Sequence, residues 1–432
     1  MLCLFAVEVF IDLPKTNKPR VLIIGGGFAG IALAKTLNDK YYQIVMLDKN
    51  NYHTFIPLLY QVATAGLEPD SIAFPIRKTF KGHENFIFRV AEVFSVKSDL
   101  NCVETSIGDI TYDYLVIATG SKTNFYGLVD MQKNALPMKS LLEALNLRSY
   151  LLQNFENALL TSDLNEQESY MTSVIVGGGP TGVEIAGALA ELKNHILAND
   201  YPELDTEKVQ IHIVEMLQRL LAYMSSESSI KSKEFLEKLG VTVWLNTGVK
   251  SYDGLNVCLS NEKIIQSRTV IWSAGVMGAD IPGINAKVMV KGNRIKTDEF
   301  NKIEGYKNIF AVGDIAAIIS KEFPNGHPML APAAVQEGSH LAKNLERACH
   351  GMPLLPFVYK NPGTMATIGR NKAVVDLPNF KFQGFFAWFV WVFVHLMKLV
   401  GFRNRLVVFV NWVWNYFSYD RGIRLIIRPL RK

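Results

Sequence analysis

Cysteine is scarce in this sequence, and its scarcity excludes several kinds of site. Only four cysteines occur among 432 residues, and they lie far apart, at positions 3, 102, 258 and 349. No two have the close spacing of iron–sulfur, zinc or redox-active disulfide sites, so no metal is expected and a reducing interior is the natural setting. The formal net charge is only +5, so no nucleic-acid partner is expected either.

A recognisable secretory signal is also lacking. Residues 1–11 are apolar, but they carry no basic segment and no small-residue cleavage site. This pattern favours a loose N-terminal strand or an overlong start over a signal peptide. No low-complexity run is visible, and the only repeat is one duplicated motif. The remaining length has room for two or three domains, each with its own core.

The first copy of the motif lies between a predicted strand and a predicted helix. Residues 21–24 are all branched and apolar, which predicts a buried parallel strand. Gly25, Gly27 and Gly30 then have the spacing that lets a backbone approach a pyrophosphate at a helix N-terminus. Asp48 follows Gly25 by 23 positions, close to the roughly 20 expected for a ribose-binding carboxylate. A dinucleotide site is therefore favoured over an ordinary strand–turn–helix.

The second copy repeats this order. A predicted strand at 173–176 precedes Gly177, Gly179 and Gly182, and a later strand ends in Glu215, 38 positions after Gly177. A carboxylate at Glu215 favours NADH over NADPH, because it repels the extra phosphate. Two such folds in one chain predict two dinucleotides face to face.

A polar and aromatic block after Asp48 carries a family resemblance. It reads Asn-Tyr-His at 51–53 and Pro-Leu-Leu-Tyr-Gln-Val-Ala at 57–63. The chain thereby resembles the type II NADH dehydrogenases, single-chain flavoproteins that reduce membrane quinones without pumping protons, from residue 20 to about 430. The resemblance implies an α/β protein with two Rossmann-like domains, FAD as cofactor and NADH as electron donor. His53 is a candidate base, although a hydrogen-bonded structural histidine is more common.

The flavin domain is expected to be split by the NADH domain. Residues 112–120 predict a buried strand and a turn at which the chain leaves the flavin domain, and residues 270–276 predict the matching return. The expected bounds are 20–120 and 285–350 for the two parts of the FAD-binding domain, 121–284 for the NADH-binding domain, and 351–432 for a C-terminal membrane-associated region.

Further cofactor contacts follow from the resemblance. Residues 86–96 predict a strand whose backbone at Val93 faces the adenine. Asp314 closes another predicted strand and is expected to contact the ribityl and phosphate region of FAD, which is compatible with a helix-capping role. The residues expected to bind the two cofactors are Gly25, Gly27, Phe28, Ala29, Gly30, Asp48, Lys49, Val93, Gly120, Asp314, Ala334, Gly177, Gly179, Pro180, Thr181, Gly182, Glu215 and Gly275.

Two residues are expected to be catalytic. The resemblance implies that a helix predicted from Ala333 directs its positive end at the pyrimidine edge of the flavin, where it would stabilise the reduced, anionic form. The quinone motif of the family, Ala-Gln-x-Ala-x-Gln, is only partly kept: Gln336 matches the second glutamine, but Pro332 replaces the first. The resemblance puts Glu184 beside the nicotinamide and flavin, the alternative being a helix-start acid favoured by the dipole. Lys372 is a further but weaker candidate near the flavin, for which an ordinary surface lysine is the favoured alternative.

The C-terminal part combines apolar, aromatic and cationic residues. Residues 384–400 form the most apolar stretch, 406–417 form a second, and 421–432 hold five cations and no acid. A spanning helix, a core helix and a helix lying in the membrane interface are all compatible with the first stretch. Tryptophans beside cations favour monotopic attachment to an anionic lipid surface, with a spanning helix second.

The resemblance also implies partners and a location. The expected partners are a quinone, either ubiquinone or menaquinone, the lipid surface, and a second copy in a homodimer. The expected location is a respiratory membrane, facing the cytoplasm in a bacterium or the matrix side in an organelle. The alternatives are a soluble-type NADH-dependent reductase of another electron carrier, and a membrane-tethered NADH-binding flavoprotein without quinone turnover. Disulfide reductases are disfavoured, because no cysteine pair lies near the predicted flavin.

Overall fold

The computed structural model describes residues 13–418 and 424–427. The expectation for residues 1–11, and most of that for the basic end at 421–432, lie outside these described residues. The chain forms two compact units, each with its own core. The first comprises the described residues of Met1–His53 with Phe74–Lys122 and Val276–Asn361; the second comprises Thr54–Ala73, Thr123–Gly275 and the described residues of Pro362–Lys432.

A five-stranded parallel sheet forms the centre of the first unit. Its strands lie in the order Ile309–Ala311, Tyr114–Ile117, Arg20–Ile24, Gln43–Asp48 and Phe86–Val90. Val21, Leu22 and Ile23 expose no surface, as expected for a parallel strand covered on both faces. The branched run that predicted this strand is therefore the middle of the sheet.

Different layers cover the two faces of this sheet. Helices Phe28–Thr36 and Ala331–Cys349 share the core of one face. Gly338 lets them approach closely, since a Cβ there would lie 2.2 Å from the Ala29 carbonyl oxygen. The opposite core includes an antiparallel meander and strands of a small mixed sheet: Val93–Lys97, Cys102–Thr105 and Gly108–Thr111, then Met289–Val290, Arg294–Thr297 and Ala316–Ile318.

The second unit repeats this architecture. Its parallel sheet has the order Leu136–Pro137, Thr269–Trp272, Thr172–Val176, Gln210–Val214 and Val241–Trp244. A second meander lies against this sheet, formed by Val249–Tyr252, Asn256–Leu259 and Ile264–Gln266. The longer helices of this part are Leu141–Leu159, Leu164–Met171, Pro180–Leu192 and Ser226–Lys238. The predicted pair of Rossmann-like folds is confirmed.

The C-terminal segment adds a small sheet and two helices to the second unit. The antiparallel strands are Thr364–Thr367, Ala373–Asp376 and Lys381–Gly384, and the helices are Phe385–Lys398 and Phe402–Ser418. Asp376 joins this sheet to the start of helix Ser226–Lys238, since its carboxylate accepts hydrogen bonds from the Ser225 backbone N–H and the Ser228 hydroxyl. Within the described chain, no helix combines the length and the apolarity that crossing a bilayer requires.

Three predicted bounds differ from the structure. Residues 86–96 form two strands rather than one, because Phe86–Val90 pairs in the parallel sheet and Val93–Lys97 pairs in the meander. The helix predicted from Ala333 begins at Ala331, since the first turn accommodates Pro332. The second glycine loop leads into a helix that begins at Pro180, which puts Glu184 on its second turn rather than its first.

Candidate functional site

Two positions of the first glycine loop, Gly25 and Gly30, leave no space for a side chain. Gly25 has φ +108°, and a Cβ there would lie 2.3 Å from the Ala118 carbonyl oxygen. A Cβ at Gly30 would lie 2.0 Å from the Gly25 carbonyl oxygen. At Gly27, by contrast, a Cβ would meet no described atom within 4 Å. The loop is thus closed on its protein side and leaves the backbone at Gly27 accessible, which fits a pyrophosphate.

The partly buried Asp48 and the buried His53 hold this loop in place. The carboxylate of Asp48 accepts hydrogen bonds of 2.7 Å from the backbone N–H groups of Gly26 and Asn50. Burial raises the pKa of Asp48, while these two N–H groups and Lys49 act in the opposite direction. His53 lies with Nδ1 3.0 Å from the Gly26 carbonyl oxygen, edge-on to Phe28. Burial lowers the pKa of His53 and so favours its neutral form, and the contacts to Gly26 and Phe28 suit a structural histidine.

The second loop has the same glycine geometry and the same kind of carboxylate contact as the first. Gly177 has φ +107°, and a Cβ at Gly182 would lie 1.9 Å from the Gly177 carbonyl oxygen. Glu215 accepts a hydrogen bond of 2.6 Å from the Gly178 N–H, as Asp48 does from Gly26. A Cβ at Gly179 would again meet no described atom within 4 Å. Both acids thus lie at the ends of their strands as predicted, and both also brace the loop.

Three helices near the two loops begin without a side-chain cap among the residues that the structure describes. Helices Phe28–Thr36, Pro180–Leu192 and Ala331–Cys349 begin with no side-chain cap from the described residues and no acid in the first turn. By contrast, Ser140, Asp163 and Ser225 cap other helices with their side chains. Uncapped N–H groups at a positive helix end suit an anionic ligand. The same three helices carry nine of the twenty predicted site residues.

Asp314 and Ala334 meet next to the first loop. Gly313 has φ +77°, and a Cβ there would lie 3.0 Å from the Cβ of Ala29 and 3.4 Å from that of Ala334. The Asp314 carboxylate accepts a hydrogen bond of 2.5 Å from the Ser121 hydroxyl. The structure therefore brings Ala29, Asp314 and Ala334 together, although they come from three separate segments.

Glu337 is a residue of this region that the sequence reading missed. It is 2% exposed and accepts a hydrogen bond of 2.7 Å from the Gly313 N–H. The Nδ1 atom of His327 lies 3.4 Å from the Oε1 atom of Glu337. Burial raises the pKa of Glu337, opposed by His327, Gly313 and Arg294. An acid immediately after Gln336, on the buried face of a helix, was the available signal for a loop-bracing role.

The other predicted cofactor residues of the first unit lie around the same sheet edge. Phe28 begins the first helix, Lys49 is exposed directly after Asp48, and Val93 begins the first strand of the meander. Gly120 follows the strand Tyr114–Ile117 with φ +70°. Their cofactor contacts remain predictions.

A cavity of about 110 Å³ lies within the second unit. Its aromatic walls come from the helix Leu59–Ala63 and the two C-terminal helices, and one side comes from the helix Pro180–Leu192. The lining residues used below are Tyr60, Gln61, Glu184, Arg370, Trp391 and Trp412. None of the aromatic residues was predicted as a site residue.

Polar groups hold the cavity walls together. The Gln61 side chain accepts a hydrogen bond of 2.8 Å from the Trp412 indole and donates one of 2.8 Å to the Tyr60 hydroxyl. The Arg370 guanidinium donates hydrogen bonds to the carbonyl oxygens of Asn415 and Tyr416 at the end of the last helix. The Gln61–Trp412 bond joins residues 351 positions apart in sequence, and the Arg370 bonds join residues 45 and 46 positions apart.

Glu184 is the acid buried in this cavity wall. It is 8% exposed, and burial raises the pKa of its carboxyl to about 8, opposed by the Thr367 backbone and the Trp391 indole. The carboxyl is therefore mostly protonated at neutral pH. Perturbed acids in cavities are frequent at functional sites, and this environment favours the predicted catalytic role over that of a helix-start acid.

Gln336 has a different environment. Its side-chain amide donates to the Lys360 carbonyl oxygen at 2.9 Å and accepts from the Lys360 N–H at 3.0 Å. It does not line the cavity described above. Both ends of the amide thus already have backbone partners, and its role toward quinone remains a prediction. Lys372 follows the turn between two strands of the C-terminal sheet and does not line that cavity either.

Known proteins match both parts of the chain. Residues 19–338 match the family described as pyridine nucleotide-disulphide oxidoreductase, and residues 362–418 match the NDH2 C-terminal domain. The structure of NDH2 from Plasmodium falciparum in complex with NADH has a TM-score of 0.87 at 22% identity and covers 95% of this chain and 100% of that one. At this identity the likeness shows the fold.

Curated relatives match nearly end to end. The internal alternative NAD(P)H-ubiquinone oxidoreductase A1 of Arabidopsis thaliana mitochondria is 29% identical over 447 residues, covering 95% of this chain and 86% of the relative. The type II NADH:quinone oxidoreductase Ndh of Mycobacterium tuberculosis is 32% identical over 421 residues, covering 94% of this chain and 90% of the relative. On these matches, the chain belongs to the type II NADH:quinone oxidoreductase family.

Proposed function

We propose that this chain oxidises NADH and reduces a membrane quinone, using FAD and pumping no protons. The observation that carries the proposal is the pair of equivalent glycine loops, each braced by a carboxylate at the end of the neighbouring strand. One loop suits the FAD pyrophosphate and the other suits that of NADH. Family membership supports the same reaction.

In the first unit, the chain's own groups fit FAD. The uncapped N–H groups at Gly27 and at the start of Ala331–Cys349 would stabilise negative charge, and Asp48 has a lone pair to spare for a ribose hydroxyl. Asp314 would contact the ribityl chain. When bound, FAD accepts a hydride from NADH and passes two electrons to a quinone.

In the second unit, the uncapped start of Pro180–Leu192 would bind the NADH pyrophosphate, with Pro180, Thr181 and Gly182 in its first turn. Glu215 would bind the adenosine ribose and repel the 2′-phosphate of NADPH. These residues orient the donor, and orientation is the main contribution that a protein makes to hydride transfer.

The cavity supports a role in quinone binding. Its aromatic walls suit an apolar ring, and the Gln61 amide and the Tyr60 hydroxyl offer polar groups to a head group. We infer that these groups serve in place of the glutamine that Pro332 replaces. Glu184 holds a proton at its carboxyl at neutral pH and so is suited to protonate a reduced quinone oxygen.

The two C-terminal helices support attachment to a lipid surface. Each exposes large apolar side chains every three or four residues, namely Phe386, Phe389, Phe393 and Met397 on one helix and Phe402, Leu406, Phe409, Val413 and Phe417 on the other. Such a stripe suits monotopic insertion into the interface. Because NADH is found in the cytoplasm of a bacterium and in the matrix of an organelle, the protein would lie on that side of the membrane. A homodimer remains a prediction, which sedimentation analysis would test.

One assay tests the proposal. The purified protein, reconstituted with lipid, is expected to be yellow and to oxidise NADH rapidly only when a short-chain quinone is added. An NADH-binding sensor without turnover would bind NADH without sustained, quinone-dependent oxidation. A colourless protein that is indifferent to NADH contradicts the proposal outright. Titration with ubiquinone and menaquinone analogues identifies the acceptor.

The substitution Glu184→Gln tests the proton donor. Glutamine keeps the shape of the neutral carboxyl but cannot release a proton, so quinone-dependent turnover is expected to fall by about tenfold to a hundredfold while FAD stays bound. The measurements are kcat and the flavin absorbance of the purified variant. Unchanged kinetics would remove Glu184 from the mechanism.

A further inference from the structure

Residues 124 and 125 pack against the carboxyl end of the strand Thr269–Trp272. The Asn124 N–H donates a hydrogen bond of 3.1 Å to the Gly275 carbonyl oxygen, and the Trp272 indole donates one of 2.8 Å to the Asn124 carbonyl oxygen. Phe125 stacks on Trp272 with ring centres 5.4 Å apart. The two residues before Tyr126 are therefore held against this strand.

Tyr126 has an unusual backbone and an exposed aromatic ring. Its φ is +51°, in the left-handed region that side-chain-bearing residues seldom adopt. Its side chain is 62% exposed, so burial of the ring does not compensate for this conformation. Backbone strain of this kind clusters at ligand sites, where the surrounding structure maintains it.

The phenol of Tyr126 lies directly over Gly275. A Cβ at Gly275 would come within 2.1 Å of the Tyr126 hydroxyl oxygen, so any larger residue at 275 would displace the ring. The hydroxyl donates a long hydrogen bond of 3.4 Å to the Ala274 carbonyl oxygen. Gly275, which the sequence predicted as a cofactor contact, thus makes room for a protein side chain.

Ala274 and the glycine loop lie against each other. A Cβ at Gly177 would lie 2.6 Å from the Ala274 Cα, and the Ser273 hydroxyl donates to the Gly177 carbonyl oxygen at 3.2 Å. Strands Thr172–Val176 and Thr269–Trp272 are parallel and in register to their last residues. Tyr126 therefore stands at the carboxyl edge of the sheet, where dinucleotides bind.

The order of the strands determines which half of a dinucleotide Tyr126 would meet. Glu215 follows the strand on one side of the glycine loop, and Gly275 follows the strand on the other side. With the adenosine ribose on Glu215 and the pyrophosphate on the loop, the second nucleoside extends over Ala274 and Gly275.

We propose that Tyr126 is a binding residue for the nicotinamide nucleoside of NADH. Its ring packs against the nucleoside, and its hydroxyl, held by the Ala274 carbonyl, has lone pairs that accept from a ribose hydroxyl or the carboxamide. This inference rests on the proposed function, because it assumes NADH at the second loop.

The test uses the full-length FAD-loaded protein with the substitutions Tyr126→Ala and Tyr126→Phe. Calorimetry gives the Kd of NAD⁺, and steady-state assays give KM for NADH and for a short-chain quinone. Tyr126→Ala is expected to raise the Kd of NAD⁺ and KM for NADH about tenfold. Tyr126→Phe, which loses only the hydroxyl, is expected to raise both about threefold. KM for quinone is expected to stay unchanged.

Tyr170→Phe is the matched control. Tyr170 lies two residues before the strand Thr172–Val176 and so at the amino ends of the strands, whereas Tyr126 lies at their carboxyl ends. The Arg268 guanidinium lies over the Tyr170 ring. The inference is overturned if both Tyr126 variants bind NAD⁺ within twofold of the unsubstituted protein, or if KM for quinone rises in parallel. A protein that binds no NAD⁺ before substitution overturns the proposed function as well, which separates the two failures.

Discussion

At the residue scale, carboxylates with similar chemistry acquire different roles from their surroundings. Asp48 and Glu215 brace glycine loops with one oxygen each. Glu337 is buried beside the Asp314 turn and bonds the Gly313 N–H. Glu184 is buried in an aromatic cavity, where its charged form is disfavoured. Solvation and local N–H donors therefore decide which acid holds the backbone and which holds a proton.

The Glu184 pKa predicts a pH dependence of stability. Burial raises the pKa of this carboxyl from its ordinary value of 4.5 to about 8. Between these values the folded protein retains a proton that the unfolded chain has lost, so this group's contribution to stability falls as pH rises. The free energy of unfolding, measured by urea denaturation at several pH values, should therefore decline relative to that of Glu184→Gln from about pH 5 to pH 8. Parallel pH profiles for the two proteins would contradict this assignment.

At the scale of single elements, the glycine loops separate folding from binding. Gly179 has ordinary backbone angles and no described neighbour near its Cβ position, whereas Gly182 has the Gly177 carbonyl oxygen 1.9 Å from that position. The absence of a side chain at Gly179 thus leaves room for a ligand, whereas at Gly182 it leaves room for the backbone of the loop.

Alanine at these two positions should therefore act differently. Gly179→Ala is expected to fold with a melting temperature within about 2 °C of the parent while KM for NADH rises at least about tenfold, because the new methyl group enters the ligand's path. Gly182→Ala is expected to destabilise the protein by about 2 kcal/mol or more. Thermal melts and steady-state kinetics check both. Equal melting temperatures for the two variants would contradict the loop argument.

The junction between the small C-terminal sheet and helix Ser226–Lys238 depends on one carboxylate. Asp376 accepts hydrogen bonds from the Ser225 N–H and from the hydroxyls of Ser225 and Ser228. Asp376→Ala is expected to cost about 2 kcal/mol of unfolding free energy. Glu262→Ala, which breaks only an exposed ion pair with Lys250, is the control and should cost less than about 1 kcal/mol. Chemical denaturation measures both, and similar losses would count against a special role for Asp376.

At the scale of the whole molecule, a duplicated fold is joined to a C-terminal segment that closes a cavity and exposes apolar helices. In each parallel sheet the strand that leads into the glycine loop is central, and the strand that leads to the bracing carboxylate lies beside it. The C-terminal helices contribute Trp391 and Trp412 to the cavity while their outer faces expose phenylalanines. One segment thus supports both quinone binding and attachment to lipid.

The exposed stripe predicts a loss of membrane binding on charge insertion. The double substitution Phe386→Glu and Phe393→Glu, at positions 65% and 56% exposed, is expected to reduce sedimentation with anionic vesicles at least about tenfold without unfolding the protein. Leu142→Glu makes the same kind of change at a side chain that is 68% exposed on another helix and should not alter vesicle binding. Equal binding by all three proteins would rule out this surface.

The sequence by itself determined the features that depend on local spacing. Glycines at fixed intervals, branched strands and acids at strand ends need only a few neighbouring residues to define their geometry, so both dinucleotide loops and the α/β class were predictable. Family resemblance extended this to FAD, NADH and quinone. The break at Ala91 and Glu92 was not predictable, because both strands around it look alike until their different pairing partners are known.

Only the tertiary structure decided which distant groups meet. Gln61 reaches Trp412, Arg370 reaches the end of the last helix, and Tyr126 covers Gly275. Such contacts depend on sheet register and on how the C-terminal helices pack, and neither leaves a local pattern in the sequence. The buried state of Glu184, and so its proton at neutral pH, has the same origin: segments far apart in the chain exclude water from one carboxyl group.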